Sequence, residues 1–379
     1  MRSNYLKKLE IPYDQTSDAD EHKFAKAIAA ALPKSRNLRS AIYNDLSPDT
    51  FGISWWNSYS GLGQSRKILI SDQLWQSLSS LQSNVIEAKV QLLELAVFWD
   101  SESAFMKDSV TVVNGKPVIK IPPKLTPKDD LPGYLADLHL KGFLSSICSA
   151  MDCLSAVIVG VMGFKENLLK VGFGSLERHF IEKFSYANPD QIQFVQKYKE
   201  IISSAGPSGW LIWAMDYRNM AMHRGRRLRL SQLKPCPSGI LNSKGQMGIT
   251  TEVVQCLVRN PGVSEIESLK DGALETLSEP AETTLNEIFC SSLFTIEEVC
   301  TCLLAVWSSR RANPSLIAQP KEQWPRIRNG NDGSFIGYKP GTLETKMGMA
   351  VTSPAMVHRL KCASLAGNQI EQWKRVDWE

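Results

Sequence analysis

The stretch Ser208-Gly209-Trp210-Leu211-Ile212-Trp213-Ala214-Met215-Asp216-Tyr217-Arg218-Asn219-Met220-Ala221-Met222-His223-Arg224 decides how this chain is read. Pro207-Ser208 before it and Gly225 after it bracket an apolar run, which predicts one helix over 208–224. The C-terminal part of that helix carries Arg218, Asn219 and His223. At roughly 100° per residue, Asn219 and His223 stand on one face about 40° apart. Arg218 sits on the flank, and its long stem can swing toward them. The chain holds five His, at 22, 139, 179, 223 and 358, and His223 is the one with a fixed set of polar neighbours.

These residue types suit phosphate chemistry. A neutral imidazole can take the proton from a ribose 2′-hydroxyl as it attacks the adjacent phosphorus, because His titrates near working pH. A planar guanidinium can hold two non-bridging oxygens while charge builds on the phosphorane. Asn219 can orient the phosphate or the imidazole with its amide. The scheme needs no metal and no cofactor, and no carboxylate cluster suited to Mg²⁺ is evident. A His beside Arg at a helix end also serves elsewhere as a solvated cap on the last carbonyls. The basic run that follows, Arg224, Arg226, Arg227 and Arg229, is where additional contacts to an RNA backbone are expected.

Arg218, Asn219 and His223 together read as Arg-polar-x-x-x-His, which resembles the signature of the HEPN superfamily of helical-bundle ribonucleases and nucleotide-binding proteins. The resemblance covers the bundle and not the whole chain. It implies a four- or five-helix bundle and a metal-independent endoribonuclease of the kind used in anti-phage defence and toxin systems. It also implies a homodimer in which two motifs face one cleft, with RNA as substrate and a regulatory or antitoxin protein as a further partner. The alternative is a non-catalytic HEPN-like module that binds RNA, nucleotide or a partner protein, with Arg218 and His223 as structural polar groups.

Composition limits the other classes. The 379 residues are 43% hydrophobic and 22% charged, ordinary values for a globular protein. A formal net charge of +4 is mild, so nucleic-acid binding has to come from a local patch. Eight Cys occur without CxxC pairs, which fits reduced thiols in a cytoplasm better than a zinc site or a disulfide framework. Residues 1–10 lack the apolar core of a signal peptide. The apolar run from Phe143 to Phe164 contains Asp152, and a carboxylate near mid-span costs on the order of 3 kcal/mol on insertion, so a buried bundle helix is expected instead of a membrane contact.

The chain divides into three expected parts and is mainly α. Residues 1–125 form an α+β N-terminal part, with helices over 20–32 and 71–99 and a hairpin over 109–121 turning at Asn114-Gly115. Trp55-Trp56 and Gly61-Leu62-Gly63 mark a core corner beside a loop, or a ligand pocket. A breaker-rich linker, 122–132, leads to a helical bundle over 133–312, with helices at 134–163, 175–184, 188–204, 208–224 and 282–311. The segment 226–281 is an insertion with a small β element near Ile249–Val254 and a short helix over 264–277. Residues 313–379 read as an extended arm with one terminal helix over 355–378.

Overall fold

The computed structural model describes residues 28, 30–46, 64–113, 116–119, 127–164, 166, 171–182, 189–223, 229–241, 247–260 and 275–310. The described chain is mostly helical. In order it runs α1 (Pro33–Leu46), α2 (Gln64–Asp108), β1 (Val110–Val113), β2 (Lys116–Ile119), α3 (Pro127–Met162), α4 (Phe173–Glu182), α5 (Pro189–Ala205), α6 (Trp210–His223), β3 (Arg229–Leu241), β4 (Met247–Leu257) and α7 (Ala281–Arg310). The calls over 20–27, 50–63, 264–274 and 313–379 lie outside the described residues.

The helices follow from apolar spacing. Along α2 the residues Leu74, Leu78, Leu81, Val85, Ala88, Leu92, Leu95 and Trp99 are all buried, at alternating steps of four and three that keep one seam inward. α3 begins at Pro127, five residues before the expected end of the linker, with Pro132 inside the helix. Proline at the first helical position is pre-organised, and Asp129 and Asp130 suit a helix start, so the breaker-rich composition here marks a helix entry. At the other end Gly163 takes a left-handed φ of 65°, and the Phe164 amide donates to the Val159 carbonyl at 3.1 Å. That is the glycine stop that closes a helix by satisfying its orphan carbonyls.

Among the described residues the strands form two antiparallel pairs, β1–β2 and β3–β4. In the first, Val113 faces Lys116, and the expected turn pair Asn114-Gly115 lies outside the described residues. In the second, Arg229 faces Leu257 and Ser231 faces Gln255, with a register shift between Pro237 and Leu241. β3 is longer than the β element expected in the insertion. The helix expected over 264–277 does not extend to its end: Thr276 makes an antiparallel bridge to Val258, so the chain is extended there. α1 has no counterpart in the sequence reading, because Leu38 and Ile42 are the only large buried residues among its described side chains and its composition is polar.

The described chain forms two compact units. One unit takes the described residues within 1–32, 81–151 and 196–297, and the other those within 33–80, 152–195 and 298–379. In the first unit Leu92, Phe143, Tyr198, Tyr217, Phe289 and Leu293 belong to the core. In the second, Leu78, Val157, Phe180, Phe194 and Trp307 do. There the Trp307 indole donates to Asp45 at 2.8 Å, and Asp152 accepts the Phe173 amide at 2.7 Å, at the first residue of α4. Asp152 is thus a helix cap inside an apolar run.

Among the described residues two helices are long and apolar enough to cross a membrane by length and composition, Leu131–Met162 and Ala281–Ser309, with 78% and 67% of their apolar windows buried in the protein.

Candidate functional site

α6 owes its orientation to three aromatic residues on its inward side. Trp210, Leu211, Ala214, Tyr217 and Ala221 are buried, at the spacing of one helical face. The Trp210 indole donates to the Ile202 carbonyl at 3.2 Å, and the Trp213 indole to the Arg259 carbonyl at 2.9 Å. The Tyr217 hydroxyl accepts the Val258 amide at 3.3 Å. Each polar tip therefore meets backbone from a neighbouring segment. Burial pushes the Tyr217 phenol well above its ordinary range, although the Val258 amide and the Arg229 charge act the other way.

The start of α6 needs two glycines. Gly209 has φ 76°, a left-handed value that costs L-residues about 1–2 kcal/mol. A Cβ at Gly206 would lie 2.8 Å from the Trp210 ring and 3.1 Å from the Ser291 hydroxyl. Ser291 also donates to the Ala205 carbonyl at 2.7 Å.

The opposite side of α6 carries Asn219 and His223, and Arg218 stands on the flank. Ile212, Asp216, Met222 and His223 are exposed, and Arg218 and Asn219 are half-buried. Arg218 donates from Nη1 to Asn219 Oδ1 at 2.9 Å, so two of the three motif side chains are joined. His223 is the last residue of α6, one turn beyond Asn219, and stands in solvent with no hydrogen bond to another described residue. Among the described residues no group of three or more His, Cys, Asp or Glu could hold a metal ion.

The basic run needs a correction. Arg224, Arg226 and Arg227 lie outside the described residues. Arg229, expected to meet an RNA backbone, is turned inward with only 9% of its side chain exposed. It pairs with Glu102 at 2.5 Å and with Asp137 at 2.6 Å. It also donates to Gln255 Oε1 at 3.2 Å and to the Gly133 carbonyl at 3.1 Å. Burial alone would weaken the charge, but the two carboxylates outweigh it and hold the guanidinium above its ordinary range. All three nitrogens are engaged inside the chain, which leaves no free donor fork for phosphate. Nothing near Arg229 in the chain marks this, since the partners lie 127 and 92 residues away.

The dimer surface expected along Tyr134 to Gly163 is reduced in the same way. From Phe143 to Met162 that helix is largely core, and only its start, at Tyr134 and Leu138, keeps large apolar side chains exposed, at 72% and 59%. Sequence reasoning also missed the anchoring role of Trp213 and Tyr217.

No family model, no curated protein and no solved structure matches this chain.

Proposed function

We propose that the chain is a metal-independent endoribonuclease of HEPN type, with Arg218, Asn219 and His223 as its reacting group. The observation that carries this reading is the open face of α6: His223 is solvent-exposed one turn from an Arg218–Asn219 pair, on a helix whose other side is anchored. A large substrate can reach such a face. In the reaction His223 accepts the proton of the 2′-hydroxyl, the oxygen attacks phosphorus, and the bond to the 5′-oxygen breaks, giving a 2′,3′-cyclic phosphate and a 5′-hydroxyl. Arg218 neutralises the charge on the non-bridging oxygens, and Asn219 fixes the guanidinium that it already contacts.

Release of the 5′-oxygen calls for a proton donor as well as a base, so the proposal includes a homodimer that brings two motifs to one cleft. It also includes cytoplasmic placement, a role in defence or toxin systems, and restraint by a regulatory or antitoxin protein. The Arg218–Asn219 hydrogen bond favours a second reading, a non-catalytic module that binds RNA, nucleotide or protein, because it gives both side chains a structural use. The experiment is cleavage of single-stranded RNA by the purified chain in EDTA, beside His223→Ala and beside a substrate with a 2′-deoxy sugar at the cut. Cleavage that both changes abolish supports the enzyme. Cleavage of DNA or loss of activity on chelation overturns the metal-independent ribonuclease, and RNA binding without cutting by the intact chain favours the second reading.

A further inference from the structure

A cavity of about 710 Å³ lies at the start of α6, between Pro207–Trp213, the segments 259–260 and 277–279, and the first turns of α7. Its size is that of a small-molecule site. Trp210 and Trp213 line it, and both indole N–H groups already bond to backbone carbonyls. What they offer a ligand is ring surface. Trp213 is further steadied by Tyr217, whose ring centroid is 4.6 Å away. Ile288 adds apolar wall, and Glu279 and Glu287 bring two carboxylates. Arg259, also in the wall, is paired with Glu275 at 3.2 Å.

We infer that this cavity binds an unpaired guanine base. Among the described lining residues, two acids stand beside one arginine that is already paired, which disfavours a phosphate and favours a neutral ligand rich in donors. An ionised carboxylate only accepts hydrogen bonds, and its two oxygens match two adjacent N–H groups. Guanine presents such a pair, the ring N1–H and the 2-amino group, on its Watson–Crick edge. Adenine, cytosine and uracil do not. Aromatic faces that stack an unpaired base, with polar groups reading its edge, are the general means of single-strand RNA recognition. Trp213 and His223 are ten residues apart on one helix, an axial rise of about 15 Å, so a strand with guanine in the cavity can extend along α6 toward His223 within a few nucleotides. This placement rests on the ribonuclease reading. The binding of guanine does not.

The test is calorimetric titration of the full chain with guanosine, adenosine, cytidine and uridine, repeated on His223→Ala, on Thr283→Trp and on the Glu279→Gln, Glu287→Gln double variant. Thr283 is exposed on the cavity wall, so a tryptophan there fills the space. Guanosine should bind at least about tenfold more tightly than the other three, since a bidentate edge contact discriminates by that order. Binding should survive His223→Ala, vanish in Thr283→Trp, and lose its base preference in the double variant. The double variant also covers the case in which Thr283→Trp fails to fold. No saturable guanosine binding, equal binding of all four nucleosides, or wild-type binding by a folded Thr283→Trp overturns the inference. If guanosine binds and the chain does not cut RNA, the cavity stands as a nucleoside site and the ribonuclease reading falls. If RNA is cut and filling the cavity leaves the cut-site preference unchanged, the cavity has no part in substrate choice.

Discussion

Two arginines eleven residues apart have opposite assignments. Arg218 is half-buried at an open face, and Arg229 is buried between Glu102 and Asp137. Arg218→Ala should lower the proposed cleavage rate about 10²- to 10³-fold, the usual loss for one transition-state contact, with little change in the urea midpoint. Arg229→Ala leaves Glu102 largely buried without its partner and should destabilise by about 3 kcal/mol, read as a lower urea midpoint. Asp137→Asn should cost under about 1 kcal/mol, because 54% of the Asp137 side chain is exposed and water screens it. Equal stability losses for Arg218→Ala and Arg229→Ala would remove the distinction. Tyr217 supplies a pH test. Its folded pKa is raised by burial, so the neutral phenol is favoured by folding at all pH values below the ordinary tyrosine value of about 10. Above that pH the unfolded state releases a proton that the folded state holds, so this stabilisation is lost as pH rises. Melting of the wild type should therefore fall relative to Tyr217→Phe between about pH 9.5 and 11, and parallel curves would contradict it.

At the scale of elements, α6 is positioned by what flanks it. Gly206→Val should destabilise by about 1–3 kcal/mol, because the added side chain meets the Trp210 ring and the Ser291 hydroxyl in a packed corner. A melting temperature equal to wild type would show that the corner can yield. For α4 the decisive group comes from another helix, since Asp152 of α3 accepts the Phe173 amide. Asp152→Ala makes α3 more apolar, yet it should lower stability by about 1 kcal/mol through the lost cap, measurable as a shifted urea midpoint. A stabilised Asp152→Ala would mean that removing a carboxylate from this run outweighs the cap. The helix limits themselves were largely legible: 134–163, 188–204, 208–224 and 282–311 each lie within two residues of α3's end, α5, α6 and α7. Those segments have apolar residues at helical spacing and stop signals of their own. The linker was misjudged because Pro and Asp serve equally to break a helix and to begin one.

For the whole molecule, the prediction concerns assembly. Protomers carrying Arg218→Ala and His223→Ala, each inactive alone, should regain part of the cleavage activity when mixed, because a heterodimer with a composite site has one intact Arg–His pair. Full activity in a monomer on gel filtration would refute the composite site. The contact cannot use the length of α3 that its apolar sequence suggested, since Phe143 to Met162 is largely occupied by the core. An apolar run has the same composition whether it meets its own chain or a second copy.

By itself the sequence determined the helical class, the extent of α6 and the angle that sets Asn219 and His223 on one face of it with Arg218 on the flank. Those follow from periodicity, from glycine and proline chemistry, and from the fixed angle between helical residues, all of which act within a few positions. Only the tertiary structure decided that Arg229 is an internal ion pair, that Asp152 caps α4, and that the indoles of Trp210 and Trp213 line a cavity with Glu279 and Glu287. Each depends on groups brought together from distant parts of the chain, and a charge or a ring in a sequence carries no mark of the partner that will neutralise or face it.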